Sequence, residues 1–404
     1  MLDLTVDSIE QMIGEQVSRV GTPDGFPALP ELPAARYFDG DYAALQMERL
    51  WMKSWLVAGH VSELREPGAY KLFERVGRSV ILSRGNDGQI HAFNNTCRHR
   101  GSAVVQEPRG KAARFVCPYH GWTYGPDGQL IAVTDPSQFP CLDKSAKGLV
   151  PVRCDIWRGL IFINFDADAE PLMDFLAPMA RQAEAFPLEQ FVVKGPHVYP
   201  LDCNWNIGID NTLEVYHVRT LHPTTIAPYL EDSTFTVGLL QNGHSRFVAR
   251  KKSGTILTPE HKAENVAGEM FGEYNICLSV FPNSFLLLDP ASLILHSYWP
   301  DGPSRCIVEF TQFGLDSQDE AYFQQMHTVM EPVLDEDWRL FGPLQRSLET
   351  GVSTTIPLGY QERAIYWLQE EIDRRIGAEH IPERLRVCQM LAPFSEGRED
   401  TPPR

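Results

Sequence analysis

Residues 97–122 read CRHRGSAVVQEPRGKAARFVCPYHGW. The stretch opens with Cys97-Arg98-His99 and, after seventeen intervening residues, reaches Cys117-Pro118-Tyr119-His120. Each half presents one soft thiolate and one imidazole at close spacing, as two fingertips of a β-domain would. Four such ligands can hold a single tetrahedral metal, structural zinc included, or the two irons of a [2Fe–2S] pair. In the second case two cysteines take one iron and two histidines the other. Neutral imidazoles in place of two anionic thiolates lower the negative charge on the cluster, so it accepts an electron more readily. The remaining cysteines, Cys141, Cys154, Cys203, Cys277, Cys306 and Cys388, show no comparable spacing and read as buried or free thiols.

Outward from that stretch, the texture from about residue 46 to 165 is of short runs rich in β-branched and aromatic residues: AYKLFERV, SVILSRG, IHAFNN and LIFINFD. Turn signals at Asn86-Asp87-Gly88 and Pro126-Asp127-Gly128 lie among them, the pattern of a small all-β domain built from hairpins. Before it, residues 1–45 read as a helical, then proline-rich arm. After it, residues 166–404 alternate. Helices are expected near 171–186, 204–218, 318–350 and 360–376, with strands such as FVVKGPHVYPLDC, TFTVGLL, NICLSVFP, LILHSYWP and CIVEFTQFGL. The expectation is an α+β chain, an all-β domain followed by an antiparallel sheet with long helices packed on it.

The second half carries its own constellation. The segment from Asn204 to His217 reads as a helix, with Trp205, Ile209 and Leu213 on one face and Asp210, Glu214 and His217 on another. A second histidine, His222, follows just before Pro223. On a regular helix the two imidazoles would diverge by about 140°, so both can reach one metal only if the helix bulges or ends between them. Pro223 disfavours the helical conformation at His222, which makes an ending there reasonable.

Cys-X-His with Cys-X-X-His, flanked by NTCRHRGS and CPYHGWTYGPDGQL, resembles the Rieske cluster motif of the Rieske non-haem iron oxygenases, the family of carnitine-oxygenase-like and aromatic-ring-hydroxylating catalytic (alpha) subunits. By that resemblance residues 46–165 form the Rieske [2Fe–2S] domain, in which Cys97 and Cys117 bind one iron, His99 and His120 bind the other, and Trp122 shields the cluster. Residues 166–404 become the catalytic domain, with His217 and His222 as ligands of a mononuclear Fe(II), Asn211 near the metal, and Glu214 in the position of the acid that bridges the two centres across a subunit interface. Most relatives place aspartate there; glutamate leans toward oxygenases of carnitine and other quaternary ammonium compounds. The third ligand should be a carboxylate, leaving positions open for O2. Among Asp335-Glu336-Asp337, only Asp337 falls within an apolar stripe of Val333, Leu334, Leu340, Phe341, Leu344 and Leu348. The family's Glu-Asp pair followed by a glutamine also matches Glu336, Asp337 and Gln345.

The resemblance implies a terminal oxygenase, mono- or dioxygenase, that hydroxylates or oxidatively demethylates a small aromatic or N-methyl substrate. A reductase or ferredoxin supplies electrons, with NAD(P)H acting only through that separate reductase. A head-to-tail homotrimer follows, with or without a small β subunit. Competing readings are a Rieske electron carrier without catalytic iron and a zinc-stabilised binding module. A formal charge of −17 on 404 residues argues against a nucleic-acid partner. The acidic, amphipathic start lacks the pattern of a signal peptide and no run is long enough for a membrane span, so a cytoplasmic location is expected. Tyr274, Phe281, Phe285, Leu287 and Leu295 could line a pocket or simply form sheet core.

Overall fold

The computed structural model describes residues 3–252 and 266–396. The chain divides into two compact units, one of residues 51–172 and one of residues 1–50 with 173–404. Its architecture is the α+β one expected, an all-β unit and a helix-flanked antiparallel sheet.

The second unit begins the chain. Helix α1 (Val6–Val17) starts at Thr5, whose side chain accepts from the Ser8 backbone, satisfying a donor the helix cannot. It buries Ile9 and Ile13. A short strand β1 (Leu32–Pro33) and helix α2 (Gly40–Gln46) follow.

Residues 51–172 contribute ten strands: β2 (Leu56–His60), β3 (Ala69–Arg75), β4 (Arg78–Arg84), β5 (Ile90–Asn94), β6 (Arg109–Lys111), β7 (Phe115–Val116), β8 (Thr123–Tyr124), β9 (Leu130–Ala132), β10 (Arg153–Trp157) and β11 (Leu160–Asn164). They form a four-stranded sheet in the order β5-β4-β3-β6 and two three-stranded sheets, β7-β8-β9 and β10-β11-β2. The two turn signals form matching hairpins. Gly85 and Gly125 pair with Gln89 and Gln129, and Asp87 and Asp127 accept from the backbone two residues on. Gly88 and Gly128 both sit at φ 79°, a conformation that favours glycine. Cys97 and Cys117 are part of this unit's buried core, with Phe93, Phe115, Trp122 and Tyr124.

The chain then returns to the larger unit through α3 (Leu172–Gln182), β12 (Phe191–Leu201), α4 (Trp205–Thr212), α5 (Val218–Leu221), β13 (Leu230–Leu239), β14 (Ser245–Lys251), α6 (Glu269–Glu273), β15 (Tyr274–Val280), β16 (Ser284–Asp289), β17 (Ser292–Pro300), β18 (Cys306–Leu315), α7 (Glu320–Glu349), β19 (Thr355–Ile356) and α8 (Arg363–Ile376). Seven of the strands make one antiparallel sheet in the order β12-β18-β17-β16-β15-β14-β13, while β1 pairs with β19. Side chains alternate across a sheet, so the register assigns faces. His197, Phe310, His296 and Phe285 lie in one row across β12, β18, β17 and β16. Helix α4 packs over β16, β17 and β18, and α7 over β12. Phe285 and Leu287 therefore share the helix-covered face with His296, whereas Tyr274 and Leu295 fall on the opposite one. Phe281 is buried beside a cis Pro282.

Two candidate metal centres

The first centre is built by two loops with one hydrogen-bond plan. After β5, Cys97 N donates to Ser102 O (2.8 Å) and Gly101 N to Cys97 O (2.9 Å). After β7, Cys117 N donates to Trp122 O (2.8 Å) and Gly121 N to Cys117 O (3.0 Å). Each loop closes on a glycine at positive φ, 80° at Gly101 and 70° at Gly121, where a side chain would strain the backbone. The His99 and His120 rings lie 4.5 Å apart between centroids, and Trp122, itself buried, stacks on His99 at 4.9 Å. Burial raises the Cys97 thiol. Burial acts the same way on Cys117, but the backbone N–H groups of Tyr119 and His120 outweigh it and hold that thiol below its ordinary value. Tyr124 OH lies 3.3 Å from Cys97 Sγ and accepts from Arg98 N. The Nδ1 of His99 is buried with no hydrogen-bond partner. Two buried sulfurs and two adjacent imidazoles, one with an orphaned nitrogen, fit a cluster bound through Cys2His2.

The second centre differs from the helix expected over 204–218. Helix α4, capped by Asn204, ends at Thr212; residues 213–217 are a loop, and α5 carries only Val218–Leu221. His217 caps α5 at its start and His222 at its end. The break makes convergence possible. Ligand atoms of His217, His222 and Asp337 all lie within 4.8 Å of one another, with Asp337 Oδ1 3.0 Å from His222 Nε2 and 3.7 Å from His217 Nε2. The far nitrogen of each ring meets a carboxylate: His217 Nδ1 meets Glu214 Oε1, and His222 Nδ1 lies 2.6 Å from Glu336 Oε2. Burial works against a charged His222, but its bonds to Asp337 and Glu336 prevail and raise its pKa. Glu336 is fixed in turn by the Thr225 hydroxyl at 2.5 Å, which holds its carboxyl below the usual range. An imidazole whose other nitrogen is bound by a carboxylate is oriented and made more basic as a metal ligand, so the donor set fits a two-histidine, one-carboxylate iron site.

Glu336, a candidate ligand by sequence, stands instead behind His222, a place that no periodicity within its own helix signals. Asn211 stands in the last turn of α4, outside the triad. Asp210 departs from the shared polar face. It is buried, bonded to Tyr37 OH at 2.6 Å, and burial pushes it up to about 8, the Tyr37 bond and the Arg36 charge offsetting only part. The apolar stripe of α7 also holds only in part. Leu334, Phe341 and Leu348 are buried, but Leu340 and Leu344 are 46% and 44% exposed, so the inward face is narrower than expected.

Fold and donor sets together describe a protein with two sets of candidate metal ligands, a cysteine–histidine pair of loops in an all-β unit and a two-histidine, one-carboxylate set between helices and a sheet. The comparisons carry this further. Residues 54–143 match the Rieske [2Fe-2S] domain, and residues 188–378 match the catalytic domain of the ring hydroxylating alpha subunit. The chain thus joins a Rieske domain to the catalytic domain of a ring hydroxylating alpha subunit. It is 34% identical over 200 residues to the oxygenase subunit of glycine betaine monooxygenase from Pseudomonas aeruginosa, a match of 50% of this chain and 46% of that protein. The chain thus spans about half the length of that relative. It is 28% identical to the chloroplastic choline monooxygenase of Spinacia oleracea over 86% of this chain and 77% of that one. The fold is shared with a quaternary ammonium Rieske monooxygenase, with a TM-score of 0.77, 22% identity, and coverage of 88% of this chain and 99% of that one. Naphthalene 1,2-dioxygenase from Rhodococcus sp. shares it too, with a TM-score of 0.72, 22% identity, and coverage of 93% and 100%. The family's cofactors are a [2Fe–2S] cluster and a mononuclear Fe(II), with electrons from a separate reductase. Among the described residues no helix is long and apolar enough to cross a membrane.

Proposed function

We propose that this chain is a terminal oxygenase that takes electrons from a reductase or ferredoxin and uses O2 to hydroxylate, or oxidatively demethylate, a small organic substrate. The observation that carries the reading is the convergence of His217, His222 and Asp337, with a carboxylate behind each imidazole. An electron carrier has no use for that triad. When bound, the cluster supplies one-electron storage and the Fe(II) supplies O2 activation.

In this reading Cys97 and Cys117 hold one iron of the cluster, His99 and His120 the other, and His217, His222 and Asp337 hold the mononuclear iron. Residues 51–172 serve as the electron-storing domain. Glu214 keeps the Nδ1 proton of His217, which turns Nε2 toward Asp337; Glu336 does the same for His222. Asn211, in the last turn of α4 just before this loop, lies near the metal. Protomers associate head to tail, His120 of one approaching Glu214 of its neighbour, so that the carboxylate orients both imidazoles. Glutamate rather than aspartate at 214 and the names of the relatives favour N-methyl or quaternary ammonium compounds, with arenes as the second class.

Oxygen uptake by the purified chain with a reductase, scanned across arenes, aryl acids and quaternary amines, tests the reading. Substrate-dependent uptake together with acid-labile sulfide is expected. Protein without labile sulfide is a zinc module instead, and labile sulfide without any substrate-dependent uptake leaves the electron carrier.

A further inference from the structure

The helix-covered face of the large sheet carries polar atoms that the chain itself does not satisfy. His197 and Tyr199 of β12, His296 of β17, and Phe310 and Gln312 of β18 all point to this side, and His327 of α7 closes over them. The contacts run in series. His296 lies 4.9 Å from Phe310, Phe310 lies 5.6 Å from His327, and His327 stacks on His197 at 3.4 Å. Ile294, Phe310 and Leu334 form the apolar floor beside them. Yet the Nδ1 of His296, the Nδ1 of His327 and the Nε2 of Gln312 are each buried without a partner. Buried polar atoms are normally paired, and an unpaired one is costly. Three on one patch, with His296 within electrostatic reach of Asp337, point to something that binds there.

The patch is not closed over completely. His296 and Leu287 remain only half-buried although helices cover this face. Gln312 stands opposite Gly195, where an added Cβ would meet only His197 Nε2, at 3.8 Å. All three unmatched atoms can be donors, each imidazole Nδ1 in one of its two tautomers. Gln312 Nε2 is one by chemistry. The Tyr199 hydroxyl lies 2.7 Å from His327 Nε2; in the tautomer where it donates to that nitrogen, Nδ1 carries the hydrogen and is a donor. Glu331, exposed, lies 3.5 Å from the same Nε2. A hydrocarbon would leave these donors unmatched. A trimethylammonium group has no acceptor to offer them.

We propose that this patch selects the substrate by a carboxylate, held by Gln312, His327 and His296 while an apolar or methylated body lies on Phe310, Ile294 and Leu287. The proposal rests on the oxygenase reading, whose substrate class it narrows. Aryl acids and N-methylated amino acids share the chemistry, and the test separates them.

Calorimetric titration of the oxidised holoprotein with benzoate against benzyl alcohol, and with glycine betaine against choline, reads binding without turnover. At least one acid should bind about tenfold or more tightly than its counterpart, the effect of one or two hydrogen bonds. Gln312→Leu should weaken the acid about tenfold and leave the counterpart unchanged, and Gln312→Glu should abolish acid binding. Retention of the visible spectrum shows that a variant has folded. Should Gln312→Leu lose it, His296→Asn takes its place in the same comparison. The proposal is overturned if neither acid outbinds its counterpart, or if the substitution weakens both ligands alike. Failure of oxygen uptake with an acid bound would fall on the oxygenase reading and leave this one standing.

Discussion

At the scale of single residues, His222 is gripped from both ends of its ring, by Asp337 on Nε2 and Glu336 on Nδ1. Removing the outer carboxylate leaves the ligands in place but frees the ring to turn. Glu336→Gln should therefore lower affinity for ferrous ion roughly 10–100-fold, read by metal titration, while Asp335→Asn, on an exposed position, should change nothing. Glu214→Gln should retain both metals on elemental analysis yet suppress coupled turnover; normal turnover would remove Glu214 from the electron path. Asp210 gives a pH effect of opposite sense to an ordinary carboxylate. Its folded pKa is raised to about 8, so between the unfolded value near ~4 and 8 the native state holds a proton that the unfolded chain has lost. Stability from this group thus falls as pH rises through that window. Asp210→Asn should remove the loss, and its melting temperature relative to wild type should rise from pH 5 to pH 8. A constant difference across that range would place the group's titration elsewhere.

At the scale of elements, the loop after α4 delivers His217 and the short α5 that follows it delivers His222, so the seat of α4 matters. A Cβ at Gly208 would come within 2.3 Å of Tyr298 Cδ1, and Tyr298 is fully buried, so the helix must lift. Gly208→Ala should cost about 1–3 kcal/mol of stability and release mononuclear iron, with the visible spectrum of the cluster kept. Parts of this arrangement were legible beforehand. Asp337 could be picked from its neighbours because Leu334, Phe341 and Leu348 share its side of α7, and Pro223 signalled a chain that could not stay helical at His222. The end of α4 at Thr212 was not legible, since Leu213 and the residues after it continue an acceptable helical pattern. Nor were Gln312, His296 and His327, which meet only through strand register and the crossing of α7. Periodicity within one segment carries no information on such meetings.

At the scale of the whole molecule, the two centres draw on different chemistry and should part under chelation. Incubation with a ferrous chelator under mild conditions should strip the iron held by imidazole and carboxylate and leave labile sulfide unchanged; parallel loss of both would mean one shared site. The paired loops around Cys97 and Cys117 carry a last consequence. Their backbones are superposable in bonding, cysteine first and glycine fifth, but the imidazole sits third in one and fourth in the other. A repeated frame with one side chain advanced by a single place presents two rings shoulder to shoulder instead of as mirror duplicates. Since each frame is tied by its own backbone hydrogen bonds, the polypeptide itself sets the places of the thiols and imidazoles that would hold the inorganic core.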